Sequence, residues 1–179
     1  MKTLLRELKL EQNTPLNYIQ VSHILKGRVP GLVMKFVEVE KLSRPLTIEQ
    51  FLPHKCNAAL CLLSAVIDGR TQNHWSTLLR HDNGSLEWFD SMAFDLDHLG
   101  MLLDDKEFIN FLKSHKVRRN TKRLQKEARD TKTCSLHCIV RLAKRHLTNP
   151  EYERWISSVR MDYDRLVTLL TYIGHLTLK

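Results

Sequence analysis

Asn83-Gly84, set between two short runs of strand-forming residues, restricts the fold of this chain more than any other feature. Asn-Gly favours the two-residue turn whose twist matches antiparallel strands. Trp75 to Leu79 lead into it, and Leu86, Trp88 and Phe89 lead away, so residues 74–90 read as one antiparallel hairpin with its tip at 83–84. A hairpin brings its open ends together. On that pairing His74 and Asp90 lie side by side, within reach of a carboxylate–imidazole hydrogen bond.

Around this hairpin the pattern alternates between strand and helix signals. The turn-rich Gly27 to Gly31 precedes a strand-like run from Leu32 to Val39. Ile48 to Leu52 is a short segment ended by Pro53. The apolar run Ala58 to Ile67 ends in the turn signal Asp68-Gly69. Leu96, Leu99, Leu102 and Leu103, then Phe108, Ile109, Phe111 and Leu112, recur at helical spacing. Leu136, Ile139, Val140, Ala143 and Leu147 form one stripe of a helix over 134–147, which Asn149-Pro150 is expected to stop. The tail from Trp155 to Ile173 predicts one or two more helices, and residues 1–13 a short amphipathic one (Leu4, Leu5, Leu8). The expected class is α+β, a central, mainly antiparallel sheet flanked by helices. Residues 56–149 would form its core, with 1–55 as an N-terminal extension or lobe and 150–179 as C-terminal helices.

At 179 residues, 42% hydrophobic and 27% charged, the chain fits a single domain able to fill its own core. No apolar run approaches the ~18–20 residues of a membrane-spanning helix, and charges interrupt the first apolar stretch, unlike a secretory leader. An intracellular protein without a membrane partner is expected. The four cysteines, Cys56, Cys61, Cys134 and Cys138, are spaced C-x4-C and C-x3-C. This suits neither a disulfide scaffold nor a zinc knuckle, so reduced thiols and no metal are expected.

The net charge of +8 is concentrated. Lys113, Lys116, Arg118, Arg119, Lys122, Arg123, Lys126 and Arg129 face only Glu127 as an acid between 113 and 129, a local net of +7. A localised excess creates a directional field that polyanions sense. The alternative is the solvated face of a surface helix or loop.

Thr133-Cys134-Ser135-Leu136-His137-Cys138 opens the helix at 134. A sulfur there meets unsatisfied backbone N–H groups and the positive end of the helix dipole. Both the dipole and a neighbouring imidazolium lower a thiol pKa and generate the nucleophilic thiolate. His74, Asp90 and Cys134 therefore fit a Cys–His–Asp triad. Cys138, a turn further on, is the rival nucleophile. Asp90 also reads as a strand-ending Asx turn, and Trp88 and Phe89 as core. His81, His98, His115, His137 and His146 have no evident partners.

His74-Trp75, Phe89-Asp90-Ser91 and a Cys opening a helix, in that order, resemble the adenovirus-type endopeptidases (adenain) and the related Ulp/SENP-type proteases of ubiquitin-like proteins. The resemblance spans roughly Ala58 to Leu147. It implies that His74 is the general base, that Asp90 orients it, that Cys134 attacks the scissile carbonyl and that Gln125 helps form the oxyanion hole. Two positions depart from the family. Ser135 stands where a Gly normally follows the nucleophile, and Gln125 lies nine residues before Cys134 where about six or seven are usual. The resemblance implies a protein substrate, either a viral precursor or a ubiquitin-like tail, with a small residue at the cleavage point. It requires no cofactor and implies activation by a polyanion such as DNA, for which 113–129 is the candidate surface. Two alternatives stay open. One is a basic module binding nucleic acid through 113–129 without catalysis. The other is an acyltransferase like the YopJ type, which shares the His, acid, Cys order but does not typically carry His-Trp.

Overall fold

Gly84, at φ +79°, closes the hairpin, but as the last residue of a three-residue loop (Asp82, Asn83, Gly84) and not of the expected two-residue turn: its N–H donates to the His81 carbonyl at 2.8 Å, and the His81 N–H to the Ser85 carbonyl at 3.0 Å. The computed structural model describes residues 10, 12–67, 69–126 and 132–176. Five strands, β1 (Met34–Glu38), β2 (Ala58–Ile67), β3 (Arg70–Arg80), β4 (Leu86–Phe89) and β5 (Arg118–Arg119), form one sheet in sequential order. The architecture is α+β, and the sheet is mixed rather than mainly antiparallel. β2–β3 and β3–β4 are antiparallel, but β1 lies parallel to β2 and β5 parallel to β4.

Seven helices are present among the described residues: α1 (Tyr18–Leu25), α2 (Ile48–Phe51), α3 (Leu96–Leu103), α4 (Lys106–Ser114), α5 (Cys134–Ala143), α6 (Asn149–Ser158) and α7 (Tyr163–Leu176). Most of the amphipathic helix expected over 1–13 lies outside the described residues. Strand alternation sorts the core into two layers. Leu60, Trp75, Leu79 and Phe89 face α5, α6 and α7, meeting Leu136, Ile139, Tyr152 and Val167. Ala59, Cys61, Leu78 and Trp88 face the other way, toward Leu99, Phe108 and Leu112 of α3 and α4. α1 joins the first layer through Val21, Ile24 and Leu25, so the N-terminal part shares this core.

Two sequence expectations need correcting. The helix opening at Cys134 ends at Ala143, and Asn149-Pro150 starts α6 instead of stopping α5. Thr148 and Glu151 form a reciprocal capping box there, and Pro in the first turn costs nothing because its missing N–H has no partner to lose. The β3–β4 register is also shifted by two. Thr77 pairs with Phe89, so Ser76, not His74, would extend opposite Asp90.

α5 is the central helix. Every residue from Cys134 to Leu142 is buried, including His137 and Arg141. A helix surrounded on all sides must supply partners for its polar groups. Those partners determine what each end of α5 does. None of the described helices is long and apolar enough to cross a membrane.

Candidate active site

The β3–β4 ladder stops at Thr77 and Phe89, and just beyond it the two strands carry His74 and Asp90. Because the register is shifted, the two residues are diagonal neighbours on one face, still within reach for long side chains. The His74 Nε2 lies 2.7 Å from Asp90 Oδ1. Asp90 is 1% exposed and the His74 side chain 21%, so the pair is anchored on the acid side and open on the imidazole side. Asp90 Oδ1 also accepts the Met92 N–H at 2.8 Å, so the Asx turn and the histidine contact coexist in one carboxylate. Asn120 holds the Asp90 backbone from both sides: Asp90 N–H donates to its Oδ1 at 2.8 Å, and its Nδ2 donates to the Asp90 carbonyl at 2.7 Å. The sequence carried no signal for Asn120, which lies thirty residues from its partner.

Cys134 is the first residue of α5 and is 7% exposed. The His74 imidazole and the backbone N–H groups of Trp75 and Ser135 lie near enough to its sulfur to act on it. Burial alone would push this thiol up. The His74 imidazole, with the two backbone N–H groups, outweighs burial and holds it below the ordinary thiol value. The imidazole responds in the opposite direction. Burial would lower it, but the Asp90 carboxylate and then the Cys134 sulfur raise it to about 10. One group is lowered and the other raised, so both shifts run in the direction that favours a thiolate beside an imidazolium.

The sulfur thus stands beside its base, and the base is bonded to an acid, which brings three of the four predicted catalytic residues together. Gln125, the fourth, joins the same turn indirectly. Its Oε1 accepts the Ser91 hydroxyl at 2.7 Å, while the N–H groups of Gln125 and Leu124 both reach the Ser91 carbonyl. With Oε1 accepting, the amide donors are the atoms that could serve an oxyanion. Gln125 also lines an open cleft of about 550 Å³ with Arg123, Lys126 and Tyr163. The Ser135 hydroxyl accepts the Leu16 N–H at 3.4 Å, so this side chain is engaged with the N-terminal stretch. Cys138 is fully buried and its thiol is pushed well above the ordinary value, first by burial and then by nearby Cys134. All four cysteines are free. Among the described residues no group of three or more His, Cys, Asp or Glu side chains could hold a metal ion.

The basic segment is distributed over three neighbourhoods. Lys113 lies in the last turn of α4 and pairs with Asp97 at 3.0 Å. Arg118 and Arg119 form edge strand β5, with Arg118 reaching Glu87 at 3.3 Å. Lys122 donates to Ser157 at 2.7 Å and sits 5.1 Å from the Tyr163 ring centre, while Lys126 pairs with Asp162. Lys116 and Arg123 are exposed, and Arg129 lies outside the described residues.

Two histidines read as partnerless have acidic partners. His81 lies 3.1 Å from Glu87, and His137 lies 3.0 Å from Asp164. The second pairing joins α5 to α7 across twenty-seven residues, and no sequence pattern marks it.

No protein-family model matches the chain. It is similar to the uncharacterized protein V9 of Sputnik virophage, with 26% identity over 184 residues, covering 93% of this chain and 99% of that protein.

Proposed function

We propose that this chain is a cysteine endopeptidase of the adenain/Ulp kind. The observation that carries this reading is His74 hydrogen-bonded to Asp90 at 2.7 Å, with the Cys134 sulfur beside the same imidazole. The Cys134 thiolate attacks a peptide carbonyl carbon, forming a C–S bond and an oxyanion. Collapse of that adduct breaks the C–N bond as His74 gives its proton to the departing amine. Water, losing a proton to His74, then cleaves the thioester, and the sulfur leaves as the thiolate beside the restored imidazolium. Asp90 fixes the imidazole tautomer throughout. The oxyanion is met by the amide of Gln125 and the N–H groups at the start of α5. The substrate class is a protein tail or junction with a small residue at the cut. A virophage relative matching over nearly its whole length favours a viral precursor over a ubiquitin-like tail.

Cys134→Ala is expected to abolish both peptide cleavage and labelling by a thiol-reactive probe, whereas Cys138→Ala keeps both. Activity retained in Cys134→Ala overturns the proposal. DNA activation through 113–129 is a separate expectation, read as cleavage that rises with added DNA and loses that rise with salt. Acetyl-CoA-dependent self-modification without cleavage would point instead to acyl transfer.

A further inference from the structure

The Asp164 carboxylate is used by neither the triad nor the fold's apolar layers, yet it is 3% exposed in the first turn of α7. Its Oδ2 accepts the Lys126 backbone N–H at 3.0 Å. Its Oδ1 accepts the Thr133 hydroxyl and lies 3.0 Å from His137 Nε2. A carboxylate this buried needs several donors to remain charged, and these donors come from two separate stretches of chain. Lys126 directly follows Gln125. Thr133 directly precedes Cys134, and His137 is one turn further along α5.

One side chain therefore holds the residue after the oxyanion amide and the residue before the nucleophile. The spacing between Gln125 and Cys134 is longer than the resembled family's, and a longer connection fixes its ends less tightly. A carboxylate gripping both ends restores a single spacing. Resting on the proteolytic reading above, we propose that Asp164 is the positioning residue of the oxyanion site, setting the Gln125 amide against the N-terminus of α5. It touches no reacting atom. Its effect is geometric, and displacements of about 1 Å at such sites cost up to ~100-fold in rate.

The test uses the full chain and two probes of Cys134. Iodoacetamide alkylates the sulfur by displacement and creates no oxyanion. A glycine-terminated peptide aldehyde adds the sulfur to its carbonyl and does create one. Asp164→Asn withdraws an acceptor at nearly constant shape. It is expected to keep the iodoacetamide rate at pH 7 within about twofold while losing about 10- to 100-fold in aldehyde affinity. In a Gln125→Ala background the same change should cost little more, because both act on one donor. Equal loss with both probes, no loss with either, or fully additive losses would each overturn the inference. So would wild-type protein that takes iodoacetamide but no aldehyde. If Asp164→Asn folds poorly by circular dichroism, Thr133→Val removes a single donor, and the same split is expected at smaller size. A wild-type Cys134 that alkylates like an ordinary thiol removes the proteolytic reading instead, before any variant is compared.

Discussion

The N-terminal end of α5 meets β3 and the residue just after β4, its C-terminal end meets Glu87 of β4, and the two ends do opposite things with charge. At the N-terminal end, Cys134 faces His74 and Asp90, with the imidazole partly open to solvent. At the C-terminal end, Arg141 faces Glu87, and both side chains are fully buried. Arg141 Nη2 donates to Glu87 Oε2 at 3.1 Å and to the Leu147 carbonyl at 2.9 Å, and Nε donates to Asn149 Oδ1 at 3.1 Å. Glu87 also accepts the Asn149 N–H at 2.7 Å, and Asn149 Nδ2 reaches the Trp88 carbonyl at 2.9 Å. Glu87 and Asp90 are three residues apart, so the lock at one end fixes where the acid at the other end can stand.

A buried ion pair is weak evidence for net stability, but removing one member leaves an uncompensated buried charge. Arg141 makes four side-chain hydrogen bonds, to Glu87, Asn149 and the Lys144 and Leu147 carbonyls, and is fully buried. The Cys134–His74 pair has a different design. The His74 side chain is 21% exposed beside a buried Asp90 and a buried Cys134, so the group is desolvated on one side and open on the other. The comparison teaches that one helix can be anchored by a closed charge network at one end while bringing a cysteine to a partly open histidine–aspartate pair at the other.

The largest expected effect falls on the lock. Arg141→Ala should destabilise the protein by about 3–5 kcal/mol in urea unfolding. Replacing both partners, Glu87→Leu with Arg141→Met, should recover much of that loss. A small loss in the single variant would mean that the buried pair does not hold α5.

A smaller effect separates the two ends by pH. The Glu87 carboxyl is held below its ordinary value because contacts to His81, the Asn149 N–H and Arg141 outweigh the burial that raises it. Its folded pKa is depressed, so its stabilisation is present above the ordinary carboxylate range and is lost as pH falls through the lower folded value. The His74 pKa is raised, so its stabilisation is complete below its ordinary 6.5 and is lost as pH rises through about 10. Urea midpoints followed over pH should show an acid limb that Glu87→Gln diminishes and His74→Gln leaves in place. An acid limb unchanged by Glu87→Gln would break the assignment.

Much of this site was legible in the sequence because it is local. The Asn83-Gly84 turn and a Cys at a helix start are short-range signals, and a hairpin alone brings residues sixteen apart into contact. The exact register was not legible. The loop is closed by His81 and Ser85 around three residues, and an Asn-Gly signal does not by itself tell a two-residue turn from a three-residue loop. Parallel pairing of β1 and β5 leaves no mark in short edge strands. Asn149-Pro150 was misread because Pro is tolerated at a helix start as well as beyond an end, although Thr148 and Glu151 three residues apart carried the capping signal. Asn120, Asp164 and the Glu87–Arg141 lock all depend on contacts made between distant elements, and composition or periodicity does not encode such partners.

The central claim is a thiolate held by an imidazolium, and the most direct measurement is the pH dependence of iodoacetamide alkylation at Cys134, followed by mass spectrometry. The account predicts a midpoint below that of an ordinary thiol, with alkylation persisting at pH 6. In His74→Gln the midpoint should move up to or beyond ~8.5, with a loss of about 100-fold at pH 6. A wild-type profile centred near 8.5, or one unmoved by His74→Gln, would contradict it.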